Sequence, residues 1–136
     1  MKYYIGVDLG TSAVKLLLMD QEGQVVNIAS REYPLSFPHP GWSEQNPEDW
    51  WEQSKEGIKE LISKIDATEV AGISFGGQMH GLVALDKDGN PLGSAILHCD
   101  TRGQCVISDF QEKIGKEIVE KQLLNPPYLG FLAITL

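Results

Sequence analysis

Residues 3–19 read YYIGVDLGTSAVKLLLM, and in this stretch two apolar runs flank a short polar turn. The first run extends from Tyr3 to Asp8, and the second extends from Ala13 to Met19. Aromatic and β-branched residues favour strands, and Gly10-Thr11-Ser12 between the runs is typical of a tight hairpin turn. The stretch therefore predicts two antiparallel strands that open the fold.

The following residues extend this hairpin. A turn signal at residues 20–23 precedes a predicted third strand over residues 24–30, so we expect an antiparallel meander. Prolines then indicate a loop from Tyr33 to Pro47. Asn46-Pro47-Glu48-Asp49 is typical of a helix start, and the spacing of apolar residues predicts a helix that runs to about Lys64. The predicted apolar stripe of this helix consists of Trp51, Ile58, Leu61, Ile62 and Ile65.

The second half of the chain predicts shorter elements. A meander followed by helix, strand and helix argues for an α/β fold, a mixed sheet with flanking helices. The tail from Leu123 is apolar and has no clear period. The predicted elements are a buried strand at Val70 to Phe75, a strand at Leu82 to Leu85, a hairpin turn at Asp86 to Asn90, a short strand at Ser94 to Leu97, and a helix from Gln104 to about Lys121 interrupted near Gly115.

Composition and charge narrow the class of protein. The formal charge is −8 and no Lys/Arg block occurs, so we expect no binding to nucleic acid. The N-terminus lacks a signal-peptide pattern and no apolar run approaches a membrane span, so we expect a cytoplasmic protein that does not bind membranes. Cys99 and Cys105 do not make a disulfide framework; reduced thiols are the simpler interpretation, and a metal site with His98 is the alternative.

The first chemical motif is the turn after the opening strand. Asp8 at a strand end places a carboxylate where hydrated Mg²⁺ could sit, and Gly10 allows backbone N–H groups to approach phosphate oxygens. Thr11 and Ser12 add hydroxyl donors. Phosphoryl transfer mainly requires such positioning and charge stabilisation. An ordinary hairpin with a turn-favouring Asp and Gly accounts for the same short pattern.

Two further motifs could bind a polyol. Gly76-Gly77-Gln78-Met79-His80-Gly81 opens the backbone beside an amide and an imidazole, and a glycine-rich bend with a hydrogen-bonded histidine is the alternative. Asp100 and Arg102 could accept from and donate to sugar hydroxyls, and a surface ion pair or a helix cap at Asp100 is the alternative. Trp42, in a loop, could stack on a sugar ring or pack at a pocket rim.

The order of these motifs resembles that of the FGGY carbohydrate kinases over roughly residues 3–115. The resemblance is carried by IGVDLGTS at residues 5–12, PGWSEQNP at residues 40–47 with Trp50-Trp51, GQMHG at residues 77–81, and Asp100-x-Arg102. Within the family, Gln78-Met79-His80-Gly81 is typical of the xylulokinase branch. The resemblance implies a ribonuclease-H-like, actin-like ATPase fold and a parent enzyme that phosphorylates D-xylulose with ATP and Mg²⁺.

The resemblance also implies roles for individual residues. Asp8 would assist the metal, through water, and the phosphates; Gly10, Thr11 and Ser12 would form part of the phosphate loop. Gln78, Met79, His80 and Gly81 would contact the sugar, with Asp100 and Arg102 near its hydroxyls.

Two departures from the family pattern affect these expectations. His98-Cys99 stands where the family usually has Trp-Asn, and the family's catalytic base is an aspartate far downstream of this chain. Residues 1–136 would form the first part of an N-terminal domain, without the downstream part and the C-terminal domain. We therefore expect negligible kinase activity from the chain alone, because the base and the nucleotide-closing domain would be missing.

Three alternatives remain open at this stage. The parent could be another FGGY kinase that acts on gluconate, glycerol or ribulose. The chain could instead be a non-catalytic, actin-like binding module. An exposed sheet edge or apolar face would favour self-association, so a homodimer is a further hypothesis.

Overall fold

The computed structural model describes residues 1–123, which belong to two compact units. Unit 1 consists of Met1–Pro34 and Pro47–Gln78, and unit 2 consists of Leu35–Asn46 and the chain from Met79 onward. The tail after Leu123 lies outside the described residues. Along the chain the elements are β1 (Tyr3–Leu9), β2 (Ala13–Asp20), β3 (Val25–Glu32), β4 (Glu44–Gln45), α1 (Pro47–Ile62), β5 (Val70–Gly77), β6 (Ala95–Ile96), α2 (Gln104–Ile114) and α3 (Lys116–Leu123).

Unit 1 contains a four-stranded mixed sheet in the order β3-β2-β1-β5. β1 pairs with β2 and β2 pairs with β3 in antiparallel fashion, which confirms the predicted meander. β5 pairs with β1 in parallel, since the chain crosses over through α1 before it returns to the sheet. The predicted mixed sheet with a flanking helix is therefore present in this unit.

The core of unit 1 lies between one face of the sheet and α1. Alternate residues of β1 and β2 point to this face, as the period of two in a strand requires. α1 packs across β2 and β3, and Leu61 completes the core. Gly57 allows this close approach, because a Cβ there would lie 2.4 Å from Leu16 Cδ1. The buried apolar side chains are Ile5, Val7, Val14, Leu16, Leu18, Ala29, Tyr33 and Leu61.

Two predictions for unit 1 are wrong in part. The strand predicted from Val70 exists, but Ile73 is 47% and Phe75 is 67% exposed, because β5 is an edge strand and α1 lies over β2 and β3. The predicted apolar stripe of α1 included Trp51, which is 61% exposed. Trp50 is the tryptophan that packs against the core, since it lies on the same helix face as Leu61.

Unit 2 contains the short antiparallel ladder of β4 and β6, in which Glu44 pairs with Ile96. β4 lies within the segment predicted to be a loop. The strand predicted at residues 82–85 is wrong: Leu82 bridges to Ile96 whereas Leu85 bridges to Pro91, so consecutive residues share no ladder. Pro91 also lacks the N–H that a ladder needs.

The other predicted elements of unit 2 are confirmed. The backbone N–H of Asp86 donates to the Asn90 carbonyl at 2.8 Å and closes the predicted hairpin turn. α2 and α3 meet at Gly115, whose φ of 92° interrupts the helical path where the sequence predicts it. Among residues 1–123, no helix has both the length and the apolar character to cross a membrane.

Candidate functional site

The turn between β1 and β2 is held by its own backbone. Gly10 donates its N–H to the Ala13 carbonyl at 3.0 Å, so this amide is used within the turn rather than directed at a ligand. A Cβ at Gly10 would lie 3.0 Å from the same carbonyl oxygen, which explains why glycine occupies the position.

Asp8 lies on the face of the sheet opposite α1. It is exposed, and its register partners are Lys15 on β2 and Gly76 on β5. A Cβ at Gly76 would meet no atom within 4 Å, so there is open space beside the carboxylate. Asp8, Lys15 and Gly76 line a cleft of about 450 Å³ on this face. The arrangement leaves room for a hydrated cation next to a carboxylate.

Gln78 is attached to the turn that follows β1. Its backbone N–H donates to the Leu9 carbonyl at 2.8 Å. The Thr11 hydroxyl donates to Gln78 Oε1 at 3.3 Å. Two residues that the sequence assigns to different motifs, the phosphate turn and the sugar motif, therefore meet within unit 1.

Tyr33 is a residue of this site that the sequence reasoning missed. It directly follows β3, is 6% exposed, and donates its hydroxyl to the carbonyl of Gly10. Its backbone N–H donates to the Ser12 carbonyl at 3.2 Å. Burial, and secondly the Asp8 carboxylate, raise the pKa of Tyr33 above its ordinary value. No local pattern marks Tyr33, because its contacts are with residues more than twenty positions earlier in the chain.

In unit 2, the segment Met79-His80-Gly81 forms a bend. Met79 is 72% exposed. His80 has a φ of 62°, which lies in the left-handed region that residues other than glycine rarely adopt. Backbone strain of this kind is concentrated at functional sites. The next residue, Leu82, exchanges backbone hydrogen bonds with Ile96 at 2.9 and 3.0 Å, so β6 anchors the bend.

Asp100 and Arg102 are close together, and they form a partly buried ion pair. Asp100 is 0% exposed and accepts hydrogen bonds from the Ser43 N–H at 2.7 Å and from Arg102 Nε and Nη2 at 2.9 and 2.8 Å. Burial alone would raise the pKa of Asp100, but the hydrogen bonds from Arg102 and Ser43 and the charge of Arg102 lower it below its ordinary value.

Arg102 extends this network to the loop before α1. Its Nη2 donates to Glu44 Oε1 at 2.6 Å, and its guanidinium carbon lies 3.7 Å from the centroid of the Trp42 ring. The His39 ring meets Trp42 edge-on, with centroids 4.6 Å apart. One face of Trp42 is thus occupied by a cation, a stabilising arrangement in its own right. We call Ser43, Glu44, Asp100 and Arg102 the carboxylate–arginine clamp.

The structure also locates the two cysteines and the residues that could bind a metal. Cys99 and Cys105 are free thiols, and Cys99 donates to the Ser43 hydroxyl at 3.1 Å. Across residues 1–123 no three His, Cys, Asp or Glu side chains converge as a metal site would require.

Comparison with known proteins establishes the family. Residues 3–136 match the N-terminal domain of the FGGY family of carbohydrate kinases. The chain belongs to this family, and its mixed sheet with a flanking helix is part of the actin-like ATPase fold that the FGGY kinases share.

Similar proteins within the family include several xylulose kinases. The chain is 50% identical to the xylulose kinase of Bacillus subtilis over 124 residues, which are 88% of this chain and 24% of that protein. A ligand-bound xylulose kinase structure from Lactobacillus acidophilus matches 89% of the chain and 24% of its own length, with 32% identity and a TM-score of 0.82. A gluconate kinase structure from the same species matches 88% of this chain and 24% of its own length, with 32% identity and a TM-score of 0.81. The chain thus spans about a quarter of the length of these relatives.

Proposed function

We propose that the chain is the first part of the N-terminal domain of a kinase that transfers the terminal phosphoryl group of ATP to D-xylulose. The products would be ADP and D-xylulose 5-phosphate, with one proton lost from the attacking hydroxyl. The observation that carries the proposal is the hydrogen bond from Thr11 to Gln78, which attaches the phosphate turn to the first residue of the Gln78-Met79-His80-Gly81 motif. Membership of the FGGY family supports it.

In the proposed enzyme, the residues around the β1–β2 turn fit a nucleotide and its metal. Asp8 would hold Mg²⁺ through water, beside the open space at Gly76. Gly10, Thr11 and Ser12 would border the phosphates, and Lys15 would add a positive charge on the same face of the sheet. When bound, Mg²⁺ and ATP supply the phosphoryl group and neutralise part of its charge.

The sugar would be bound chiefly by the segment from Gln78 to Gly81. Gln78 and His80 can both donate and accept hydrogen bonds, as sugar hydroxyls require. The exposed Met79 side chain offers an apolar contact to the carbons of the substrate. Asp100 and Arg102 would belong to the wall of the pocket near the hydroxyls. Their bonds to each other and to the loop before α1 would keep this wall rigid.

A gluconate kinase is the second candidate. The gluconate kinase from Lactobacillus acidophilus matches this chain as well as the xylulose kinase of that species does, with TM-scores of 0.81 and 0.82. The Gln78-Met79-His80 sequence favours D-xylulose, since it is typical of the xylulokinase branch. Backbone similarity alone does not separate the two substrates.

The test uses a chimera in which this chain replaces the matching N-terminal segment of the Bacillus subtilis xylulose kinase. We expect the chimera to consume ATP with D-xylulose at a kcat/KM at least about tenfold above that with gluconate, glycerol or ribulose. The chain alone should show no turnover. Asp8→Asn should lower kcat about 10²-fold, because one carboxylate that assists the metal is lost.

Asp88→Asn is the matched control, since Asp88 is an exposed carboxylate in the hairpin turn of unit 2 and should leave turnover unchanged. A folded chimera with a single cooperative melting transition and no turnover on any of these substrates would overturn the proposal. A preference for gluconate would replace it with the second candidate. Full activity of the Asp8→Asn protein would remove Asp8 from the mechanism.

A further inference from the structure

Tyr33 contacts the phosphate turn at two points. Its hydroxyl donates to the carbonyl of Gly10, and its backbone N–H donates to the carbonyl of Ser12 at 3.2 Å. The ring belongs to the buried core of unit 1, so both donors start from a fixed position. A single residue, which directly follows β3, therefore holds the first and the last residue of the turn.

These two bonds determine the orientation of peptide groups in the turn. In a trans peptide the C=O and the following N–H point in opposite directions. Because Tyr33 draws the Gly10 carbonyl toward the core, the Thr11 N–H is directed away from Tyr33. The bond from the Tyr33 N–H to the Ser12 carbonyl orients the Ser12–Ala13 peptide in the same way. The direction of the Gly10–Thr11 peptide dipole is thus set by a side chain that lies outside the turn.

The hydroxyl of Tyr33 stays protonated near neutral pH, so it can donate a hydrogen bond. Burial and the nearby Asp8 carboxylate both disfavour its ionised form and raise its pKa. The hydrogen bond is partly buried, and only 6% of Tyr33 is exposed. Partial burial reduces the competition of water for this bond.

We propose that Tyr33 is a positioning residue that presets the Gly10–Ser12 turn for the phosphates of the nucleotide. The proposal rests on the proposed kinase function. In that function Tyr33 would act through the turn that it holds, without contacting the nucleotide or the sugar itself. A turn preset in its binding conformation has less ordering entropy to lose when the ligand binds. Loss of the Tyr33 hydroxyl should therefore weaken the affinity for the nucleotide more than the affinity for the sugar.

The experiment compares Tyr33→Phe with the unmodified chimera of this chain and the Bacillus subtilis xylulose kinase. Phenylalanine keeps the ring and removes only the hydroxyl. We expect the KM for ATP and the dissociation constant for ATP–Mg²⁺ to rise about three- to tenfold, which corresponds to one lost hydrogen bond. The KM for D-xylulose should stay within about twofold. Hydrogen exchange of a peptide that covers residues 9–14 should become faster.

Tyr3→Phe is the matched control. Tyr3 also packs against the core of unit 1, but it begins β1, at the end of that strand opposite the turn. Loss of the Tyr3 hydroxyl should leave the KM for ATP unchanged. Calorimetric ATP–Mg²⁺ titrations at a temperature where all proteins are fully folded separate affinity from stability.

Two results would overturn the proposal. One is an unchanged ATP–Mg²⁺ dissociation constant in Tyr33→Phe together with unchanged exchange of the turn. The other is an equal rise in the KM values for ATP and D-xylulose, which would indicate a general structural role. Either result leaves the kinase function standing if the unmodified chimera turns over D-xylulose. An unmodified, folded chimera without turnover would instead count against the proposed function.

Discussion

Asp100 illustrates how much a residue's role depends on its surroundings. Its sequence context allows a sugar ligand, a surface ion pair or a helix cap. In the structure it is fully buried and accepts four hydrogen bonds, three from Arg102 and one from Ser43. Gly103 occupies the cap position of α2. A buried carboxylate with such partners stays ionised, and its loss would leave Arg102 poorly compensated.

We expect Asp100→Asn to lower the free energy of unfolding by about 2 kcal/mol at pH 7, because charge-assisted hydrogen bonds to Arg102 are lost. The pKa of Asp100 is lower in the folded chain than its ordinary value. Its contribution is therefore present above pH of about 3.9 and is lost as the pH falls below that value. Urea unfolding of the chain at pH 7 and pH 3 measures both effects.

Asp88→Asn serves as the control for this prediction, since the Asp88 side chain is 64% exposed and pairs with the exposed Lys87. Its effect should stay within about 0.5 kcal/mol. The difference in stability between Asp100→Asn and the unmodified chain should shrink at pH 3. A difference of the same size at both pH values would show that the carboxylate charge is not the cause.

At the scale of elements, the pairing of β5 with β1 depends on Gly77. A Cβ at this position would lie 2.8 Å from the Leu9 carbonyl oxygen, and backbone cannot move aside as a side chain can. We expect Gly77→Ala to lower the free energy of unfolding by about 1–3 kcal/mol through overpacking. Gly76→Ala is the matched control, because the added Cβ would meet no atom within 4 Å.

Urea unfolding of both variants checks this prediction. An equal effect of the two substitutions would show that the close contact of Gly77 with Leu9 does not determine the loss of stability. The contact would also be in doubt if Gly77→Ala stabilised the chain.

The helix α1 shows what element-level patterns predict well and where they err. Its start at Pro47 and its end near residue 62 follow from the proline, the acidic first turn and the apolar spacing. The assignment of Trp51 to the apolar face was wrong, because both tryptophans are apolar and only packing decides which one faces the sheet. The small residues Ser54 and Gly57 complete that face, and hydropathy gives them little weight.

At the scale of the whole molecule, the chain exposes much apolar surface on the sheet of unit 1. We expect the chain alone to bind an apolar fluorescent dye such as anilinonaphthalene sulfonate and to self-associate in sizing experiments. Replacing Ile73 and Phe75 by threonine and serine should reduce both signals. The exposed large apolar side chains of this sheet are Tyr4, Met19, Val25, Val26, Ile28, Ile73 and Phe75.

Trp51→Ser is the matched control, because Trp51 is about as exposed as Phe75 but lies on α1 rather than on the sheet. It should leave dye binding and association nearly unchanged. A monodisperse monomer that binds no dye would contradict the prediction. A reduction of both signals by Trp51→Ser alone would place the associating surface on the helix.

The sequence by itself determined the opening meander, the start of α1, the turn at Asp86 and the order of motifs that identifies the family. These features depend on neighbouring residues, whose periodicity and turn chemistry act over short distances. Only the tertiary structure decided that Tyr33 bonds to the Gly10–Ser12 turn, that Thr11 meets Gln78, and that Asp100 is buried and paired with Arg102. Each of these contacts joins distant segments of the chain or depends on burial. The local sequence around a residue does not predict which distant side chain packs against it.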